Sequence, residues 1–180
     1  MTNKKSSVFG GACRAVVAYA AVVGMTFMAP AWGAESVDAP VTPMTRLQNF
    51  TQRASELALR SMGMLGIHYR LGGNTPESGL DCSGLVRHVF KEAWGAILPR
   101  TSEEISQVGL KIEKHDLQPG DLVFYNTLKR SFSHVGIYLG DSKFIHSPSS
   151  GGQVRIESMD VAYWKARFSG ARRINDPDQR

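Results

Sequence analysis

Cys82 is the residue of this sequence with the clearest capacity for chemistry. It stands in the run Asp81-Cys82-Ser83-Gly84, directly after a loop that contains proline and several glycines. Asp81 has the side chain of a helix N-cap, because a short carboxylate accepts amide hydrogens that the first helical turn leaves unpaired. Cys82 then falls in the first turn, where those amides and the helix dipole favour a thiolate. This placement predicts a nucleophile; the alternative for a lone cysteine is a buried, inert thiol.

A nucleophilic cysteine needs a base, and the chain has five histidines. His134 and His146 stand near the two outer ends of a predicted β-hairpin, whose folding brings them together. A two-residue turn at Gly140-Asp141 would put them on opposite faces, whereas a three-residue connection through Ser142 pairs residue 136 with 146 and puts them on one face. We predict the three-residue connection, so that a base and its orienting partner are neighbours; two histidines without a role are the alternative.

The other three histidines are less suitably placed. His88 lies six residues after Cys82 on the same predicted helix, so it points away from the thiol at about 100° per residue. His115 lies among charged residues and is predicted to be exposed. His68 is close in sequence to the glycine-rich loop and is the third candidate for the cleft.

A zinc site is a competing use of the same residues, since one cysteine and two histidines leave a fourth position open. Hydrolytic zinc sites more often combine histidine with carboxylate ligands, and the sequence has no close-spaced metal-binding motif. We therefore predict no metal and no other cofactor.

The elements that must position these residues change in type along the chain. A helix is predicted to start at Thr42-Pro43 and to fade at residues 63–66, and the Cys82 helix to stop near Gly95. Thr101 and Glu104 have the spacing of a capping box that opens a further short helix. Strands are predicted at residues 122–125, 134–139, 143–147, 153–157 and 168–174. Helices followed by antiparallel strands indicate an α+β fold.

The N-terminus has the pattern of a secretory signal peptide. Lys4, Lys5 and Arg14 precede an apolar run, which ends in small residues before Gly33. We expect four segments: a signal peptide over 1–33 that is removed, a flexible lead-in over 34–44, the catalytic domain over 45–175 and a C-terminal tail over 176–180. The protein is thus expected to be exported, periplasmic or secreted, without a stable membrane anchor, because the apolar run is short for a bilayer span.

Removal of residues 1–33 changes both the charge and the cysteine count. The segment holds three basic and no acidic residues, so the formal charge falls from +5 to +2. No basic stripe with interleaved aromatic residues is present, and we predict no nucleic-acid binding. Cys82 is then the sole remaining cysteine in an oxidising compartment, a pattern that points to a reactive thiol. The oligomeric state does not follow from the sequence.

Several motifs in order resemble the NlpC-type family of papain-like cysteine peptidases, over about residues 48 to 174. The matching runs are Tyr69-Arg70-Leu71-Gly72-Gly73, Asp81-Cys82-Ser83-Gly84-Leu85, Pro99-Arg100-Thr101, Pro119-Gly120-Asp121-Leu122-Val123-Phe124, His134-Val135-Gly136-Ile137-Tyr138 and Phe144-Ile145-His146. The resemblance implies a papain-like α+β domain with N-terminal helices packed on a small antiparallel sheet. It also implies hydrolysis of peptide bonds in the stems or cross-links of bacterial peptidoglycan, with peptidoglycan peptides as the partner.

The same resemblance implies roles for individual residues. Cys82 would be the nucleophile that forms an acyl-enzyme, His134 the base, and His146 the polar group that orients His134. Tyr69 would line the cleft and help to bind the substrate or the oxyanion. Asp81, Ser83 and Arg100 are further substrate-binding candidates; helix capping alone is the alternative for Asp81, and a surface ion pair for Arg100.

Two other classes of function remain open on the same residues. A non-catalytic wall-binding module is one, although the presence of both Cys82 and His134 argues against it. A thiol acyltransferase or amidase is the other, and an exported chain without a lipid-attachment cysteine after the signal makes it less favoured. Among peptidoglycan bonds, the D-glutamyl–diaminopimelate and D-alanyl–diaminopimelate bonds are both candidates, because the choice depends on the shape of the pocket.

Overall fold

The computed structural model describes residues 43–174. The predicted signal peptide, all of the lead-in before residue 43 and the tail after residue 175 lie outside this range. Pro43 and Met44 are the first described residues of a helix, in accord with the start predicted at Thr42-Pro43, although the predicted lead-in extended to residue 44. Within the described range, no helix combines the length and the apolar character that a bilayer crossing requires.

Four α-helices occur among the described residues. They are α1 (Pro43–Met62), α2 (Cys82–Trp94), α3 (Ser102–Ile105) and α4 (Ala162–Lys165), with a 3₁₀ turn at Lys114–Asp116. The predicted ends of α2 are confirmed: Asp81 Oδ1 accepts the Gly84 N–H at 2.7 Å, and Gly95 closes the helix at φ 65°. The capping box of α3 is confirmed as well. The sequence did not predict α4, whose four residues are too few for a helical period to show.

The strands form two antiparallel sheets within this range. They are β1 (Asn74–Thr75), β2 (Gly79–Leu80), β3 (Leu110–Ile112), β4 (Leu122–Tyr125), β5 (His134–Gly140), β6 (Lys143–His146), β7 (Arg155–Ser158) and β8 (Phe168–Arg173). β1 pairs with β2, and the other six are ordered β3-β8-β4-β5-β6-β7. The sequence missed β1, β2 and β3, which are only two or three residues long. The predicted α+β class is confirmed.

Buried side chains pack on both faces of the larger sheet. In β4, Leu122 and Phe124 belong to a core shared with α2, whereas Val123 and Tyr125 belong to a second core that contains Trp164 of α4. All four are 0 % exposed. Burial of each large apolar side chain contributes about 1.5–3 kcal/mol to folding. Packing on both sides of the sheet therefore fixes β4, and α2 packs on one of these two sides.

The register of the β5–β6 hairpin is the one predicted, although the connection differs. Ile137 pairs with Ile145, which places residue 136 opposite 146. Instead of a three-residue connection, Asp141 and Ser142 form a tight turn in which both have positive φ, 50° and 55°. A bulge between Tyr138 and Gly140 adds the extra residue on β5. The result is the same face for both histidines.

Candidate active site

The N-terminus of α2 is held against the glycine-rich loop by Asp81. Its Oδ1 accepts hydrogen bonds from Gly84 N–H, from Ser83 Oγ at 3.0 Å and from Arg100 Nη1 at 3.3 Å. Its Oδ2 accepts Gly72 N–H at 3.0 Å and pairs with Arg100 Nη2 at 2.5 Å. Burial raises the pKa of the Asp81 carboxyl, but these hydrogen bonds, led by that of Arg100, outweigh burial and leave the pKa below its ordinary value. This network favours the capping role for Asp81.

Two glycines allow the loop to approach the helix closely. A Cβ on Gly84 would lie 2.0 Å from the carbonyl oxygen of Gly73, a distance that side chains do not tolerate. The Asp81 N–H donates to that same carbonyl at 3.2 Å. The loop is therefore drawn onto the first turn of α2, beside Cys82.

Cys82 is half-buried and is a free thiol. Burial and then the negative charge of Asp81 raise the pKa of the thiol to about 11, although the N–H groups of Val135, Ser83 and Cys82 itself lower it. Desolvation thus opposes the helix amides at this position, and the resting thiolate that the helix terminus favours stays a prediction. The Val135 N–H that reaches the sulfur belongs to the residue after His134, so the first turn of α2 meets the start of β5 at the thiol.

His134 and His146 form a hydrogen-bonded pair. Nε2 of His134 lies 2.8 Å from Nδ1 of His146, with ring centroids 5.1 Å apart at 90°. His134 also stacks on Trp164 at 5.6 Å. Burial lowers the pKa of both imidazoles below its ordinary value of 6.5. Burial thus disfavours charge on the thiol and on both imidazoles of the resting site.

Tyr69 and Arg100 flank Cys82 on the side of the glycine-rich loop. Burial raises the pKa of the Tyr69 phenol, and the nearby Cys82 and Asp81 raise it further. Its hydroxyl is therefore a hydrogen-bond donor. Arg100 donates to Ser83 Oγ at 2.6 Å as well as to Asp81, so its guanidinium lies at the front of α2 rather than in a remote surface ion pair.

All seven residues predicted for the site thus surround the junction of α2 with β5 and β6: Tyr69, Asp81, Cys82, Ser83, Arg100, His134 and His146. The remaining histidines lie elsewhere. His68 and His115 are exposed, and His88 is half-buried on α2. Among residues 43–174, no three histidine, cysteine or acidic side chains converge in a group that would hold a metal ion.

A cavity of about 280 Å³ opens beside His134, and neither Tyr69 nor Arg100 lines it. Its walls include His134, Ser150, Arg155, Tyr163 and Trp164. Arg155 Nη1 donates to the Ser150 carbonyl at 2.9 Å, and its side chain is 40 % exposed. This pocket, lined by the Arg155 guanidinium, the Glu157 carboxylate and two aromatic rings, is distinct from the hydrogen-bonded cluster at the α2 terminus.

The sequence reasoning missed Glu157 of β7, which lies behind His146. Its Oε1 is 3.5 Å from Nε2 of His146, and it also accepts hydrogen bonds from Arg155 Nε and Trp164 Nε1. The signal available in the sequence was the alternation of Arg155, Ile156 and Glu157, which puts two charged residues on one face of a strand. That face is the one that carries His146, because His146 pairs with Arg155 across β6 and β7.

Comparisons with known proteins agree with this architecture. The sequence profile of the NlpC/P60 family matches residues 66–173. The murein DD-endopeptidase MepH of Escherichia coli K12 is 40% identical over 130 residues, which are 70% of this chain and 48% of MepH. The murein DD-endopeptidase MepS/murein LD-carboxypeptidase of the same strain is 42% identical over 109 residues, 61% of this chain and 56% of that protein.

Solved structures show the same fold. The structure of an NlpC/P60 family protein from Bacillus cereus has a TM-score of 0.62 at 34% identity and covers 67% of this chain and 39% of that one. The peptidoglycan hydrolase RipB of Mycobacterium tuberculosis has a TM-score of 0.60 at 27% identity, over 71% of this chain and 67% of RipB. The match spans about half the length of the first two curated relatives described above. From its site, its fold and the matched profile, the chain belongs to the NlpC/P60 family.

Proposed function

We propose that this protein is a cysteine endopeptidase that hydrolyses peptide bonds in bacterial peptidoglycan. The observation that carries the proposal is that the free thiol at the first turn of α2 is reached by the backbone of Val135, the residue directly after His134, whose ring is buried and hydrogen-bonded to His146. Relatives named as murein endopeptidases and a peptidoglycan hydrolase support the substrate class.

The geometry supports proton transfer to His134 as the first step. Nε2 of His134 is engaged by His146, so Nδ1 is the nitrogen left for the thiol. Cys82 transfers its proton to Nδ1 as the sulfur attacks the carbonyl carbon, and the C–N bond of the tetrahedral intermediate then breaks to leave an acyl-enzyme. His134 protonates the departing amine. It next accepts a proton from water, whose oxygen attacks the thioester carbon. The C–S bond then breaks, the acid leaves, and the Cys82 sulfur takes its proton back from His134.

The negative charge of the tetrahedral intermediate needs donors close to Cys82. The backbone N–H of Cys82 at the start of α2 is one, and the neutral Tyr69 hydroxyl is the second. Asp81, Ser83 and Arg100 keep the loop and the helix terminus in place and form the wall on the acyl side. The substrate residue that carries the acyl group therefore lies along this wall.

The pocket beside His134 receives the residue that carries the leaving amine, because His134 must lie over that nitrogen to protonate it. Arg155 in its wall donates through Nε to Glu157 and through Nη1 to the Ser150 carbonyl, so its Nη2 is the group that we propose for a free carboxylate of the substrate. Diaminopimelate in a D-alanyl–diaminopimelate cross-link has such a carboxylate next to the leaving amine. We propose the cross-link rather than the D-glutamyl–diaminopimelate bond; two relatives named DD-endopeptidases support this choice, and a relative of similar identity named gamma-DL-glutamyl hydrolase supports the other bond.

Mass spectrometry of digested muropeptides tests the proposal. The full-length chain should convert cross-linked dimers into monomers, whereas Cys82→Ala should be slower by at least about 10³-fold. Cys13→Ala serves as the matched control and should keep the parent's activity. Cleavage by Cys82→Ala at the parent's rate would refute the nucleophile. Products cut after D-glutamate instead of D-alanine would refute the choice of bond.

The site of action follows from the substrate. Peptidoglycan lies outside the cytoplasmic membrane, and we propose that the protein acts there as an exported enzyme, in accord with the signal-like pattern of residues 1–33. Fractionation of cells that express the full-length chain should find the processed protein in the periplasm or medium. Retention of an unprocessed chain in the cytoplasm would contradict this.

A further inference from the structure

The buried ring of His146 has one nitrogen whose role the catalytic pair does not explain. His146 is 0 % exposed, and its Nδ1 faces His134. Within residues 43–174, Nε2 has no hydrogen-bond partner, although Oε1 of Glu157 lies 3.5 Å away. A buried polar group without a partner costs about 1–3 kcal/mol. A shift of about 0.5 Å would bring nitrogen and oxygen to ordinary hydrogen-bond distance.

Glu157 is held in place by donors from two other elements. Arg155 on β7 donates through Nε to Oε1, and Trp164 on α4 donates through Nε1 to Oε2. Its side chain is 23 % exposed. The buried Tyr125 of β4 also faces it: burial first, and then the charge of Glu157, raises the pKa of that phenol. The carboxylate is thus fixed in orientation by groups that do not touch the substrate bond.

The proton arrangement of the histidine pair depends on what His146 Nε2 faces. If Nε2 carries a hydrogen directed at Glu157, Nδ1 of His146 is an acceptor and takes the Nε2–H of His134. Nδ1 of His134 is then a lone pair, ready for the thiol proton. In the opposite tautomer, Nδ1–H of His146 donates to His134, Nδ1 of His134 carries a hydrogen, and it cannot act as base.

The opposite tautomer would also point the lone pair of His146 Nε2 at a carboxylate. That arrangement exchanges a charge-assisted hydrogen bond for a repulsive contact between two acceptors, in a site without water-like screening. The contact between Glu157 and His146 therefore favours the tautomer in which His134 can act as base over the one in which it cannot. Glu157 exerts this effect through His146, without touching His134.

We propose that Glu157 is a positioning residue of the site, which fixes His146 as the Nε2–H tautomer and so leaves Nδ1 of His134 free to accept the Cys82 proton. This inference rests on the proposed function for the roles of Cys82 and His134. Glu157 also stabilises the imidazolium that forms on His134 during attack, since its charge favours the protonated ring.

Nitrogen NMR of the imidazoles in the full-length chain, labelled with ¹⁵N-histidine, reads the tautomers directly. In the parent, His134 and His146 should both be Nε2-protonated at neutral pH. Glu157→Gln keeps the shape but removes the charge, and should give mixed tautomers at both rings. Its kcat on muropeptides should fall by about 10- to 100-fold with little change in KM. Glu157→Asp keeps the charge and should restore the parent tautomers and part of kcat.

Glu113→Gln is the matched control, because the residue pairs with Lys111 at the surface and the net charge changes equally. It should leave tautomers and kcat at parent values. Parent tautomers in Glu157→Gln would overturn the inference, whether or not kcat falls, and so would mixed tautomers with a kcat within about threefold of the parent's. If the parent cleaves no muropeptide, the proposed function fails, while the NMR comparison still decides the role of Glu157.

Discussion

The burial of two neutral histidines makes the free energy of unfolding depend on pH. This dependence falls between pH 5 and 7, which is above the pH range in which carboxylates titrate. Burial lowers the pKa of His134 and of His146 below the ordinary 6.5, so neither binds a proton in the folded state at pH 5 to 7. The unfolded chain does bind those protons as the pH falls through 6.5. The contribution of these two histidines to the free energy of unfolding is therefore fully present above pH 6.5 and is lost as the pH decreases below that value.

The magnitude follows from the same two pKa values. Between pH 7 and pH 5, protonation of one unfolded-state imidazole that stays neutral in the fold lowers the free energy of unfolding by about 2 kcal/mol. Two such histidines give about 4 kcal/mol, a large part of the 5–15 kcal/mol that is typical for a domain. Replacement of one of them removes about half of this pH dependence.

Urea unfolding at pH 7 and pH 5 measures the effect in the parent and in His146→Gln. The parent should lose about 4 kcal/mol over this interval and the variant about 2 kcal/mol, whatever the stability of the variant at pH 7. His115→Gln, an exposed histidine beside Asp116, is the control and should follow the parent. A parent that loses less than about 1 kcal/mol, or a His146→Gln variant that loses as much as the parent, would refute the reasoning.

Two further predictions concern the hairpin and the oxyanion. In Gly136→Ala, the new Cβ would lie 2.7 Å from both Ile145 O and Phe144 Cδ2, so β5 and β6 must separate and the histidine pair must lengthen. We expect a loss of about 1–3 kcal/mol in urea unfolding together with a lower kcat; unchanged stability would contradict the close approach. Tyr69→Phe should lower kcat by about 10²- to 10³-fold with KM nearly unchanged if its hydroxyl binds the oxyanion, and a change confined to KM would assign Tyr69 to substrate binding alone.

Local chemistry is what made the framework of the site predictable from the sequence. The N-cap Asp81 and the apolar stripe behind it determine where α2 begins, and thereby which turn carries Cys82. For the β5–β6 hairpin, only the register of the two strands remained to be predicted. The requirement that His134 and His146 share a face selected the register that the structure shows. These features depend on residues that are close in sequence, so hydrophobic periodicity and helix-capping rules can predict them.

Features that depend on contacts between residues far apart in the sequence could not be predicted. The thiol of Cys82 is desolvated by elements far along the chain, so its raised pKa could not be read from its place at a helix terminus. Glu157 meets His146 only because β7 pairs with β6, and Trp164 meets Glu157 through a four-residue helix that has no sequence period. Each of these depends on packing between elements, which local patterns do not encode.

Covalent trapping of the substrate on Cys82 tests the central claim most directly. The full-length chain is mixed with cross-linked muropeptide, quenched in acid at short times and digested, and the peptide that contains Cys82 is weighed by mass spectrometry. We expect an added mass equal to the acyl portion of the substrate on Cys82 and on no other residue, together with no turnover by Cys82→Ala. Two results together would contradict the role of Cys82 as nucleophile: Cys82 stays unmodified at every quench time during steady turnover, and Cys82→Ala turns over the substrate as fast as the parent.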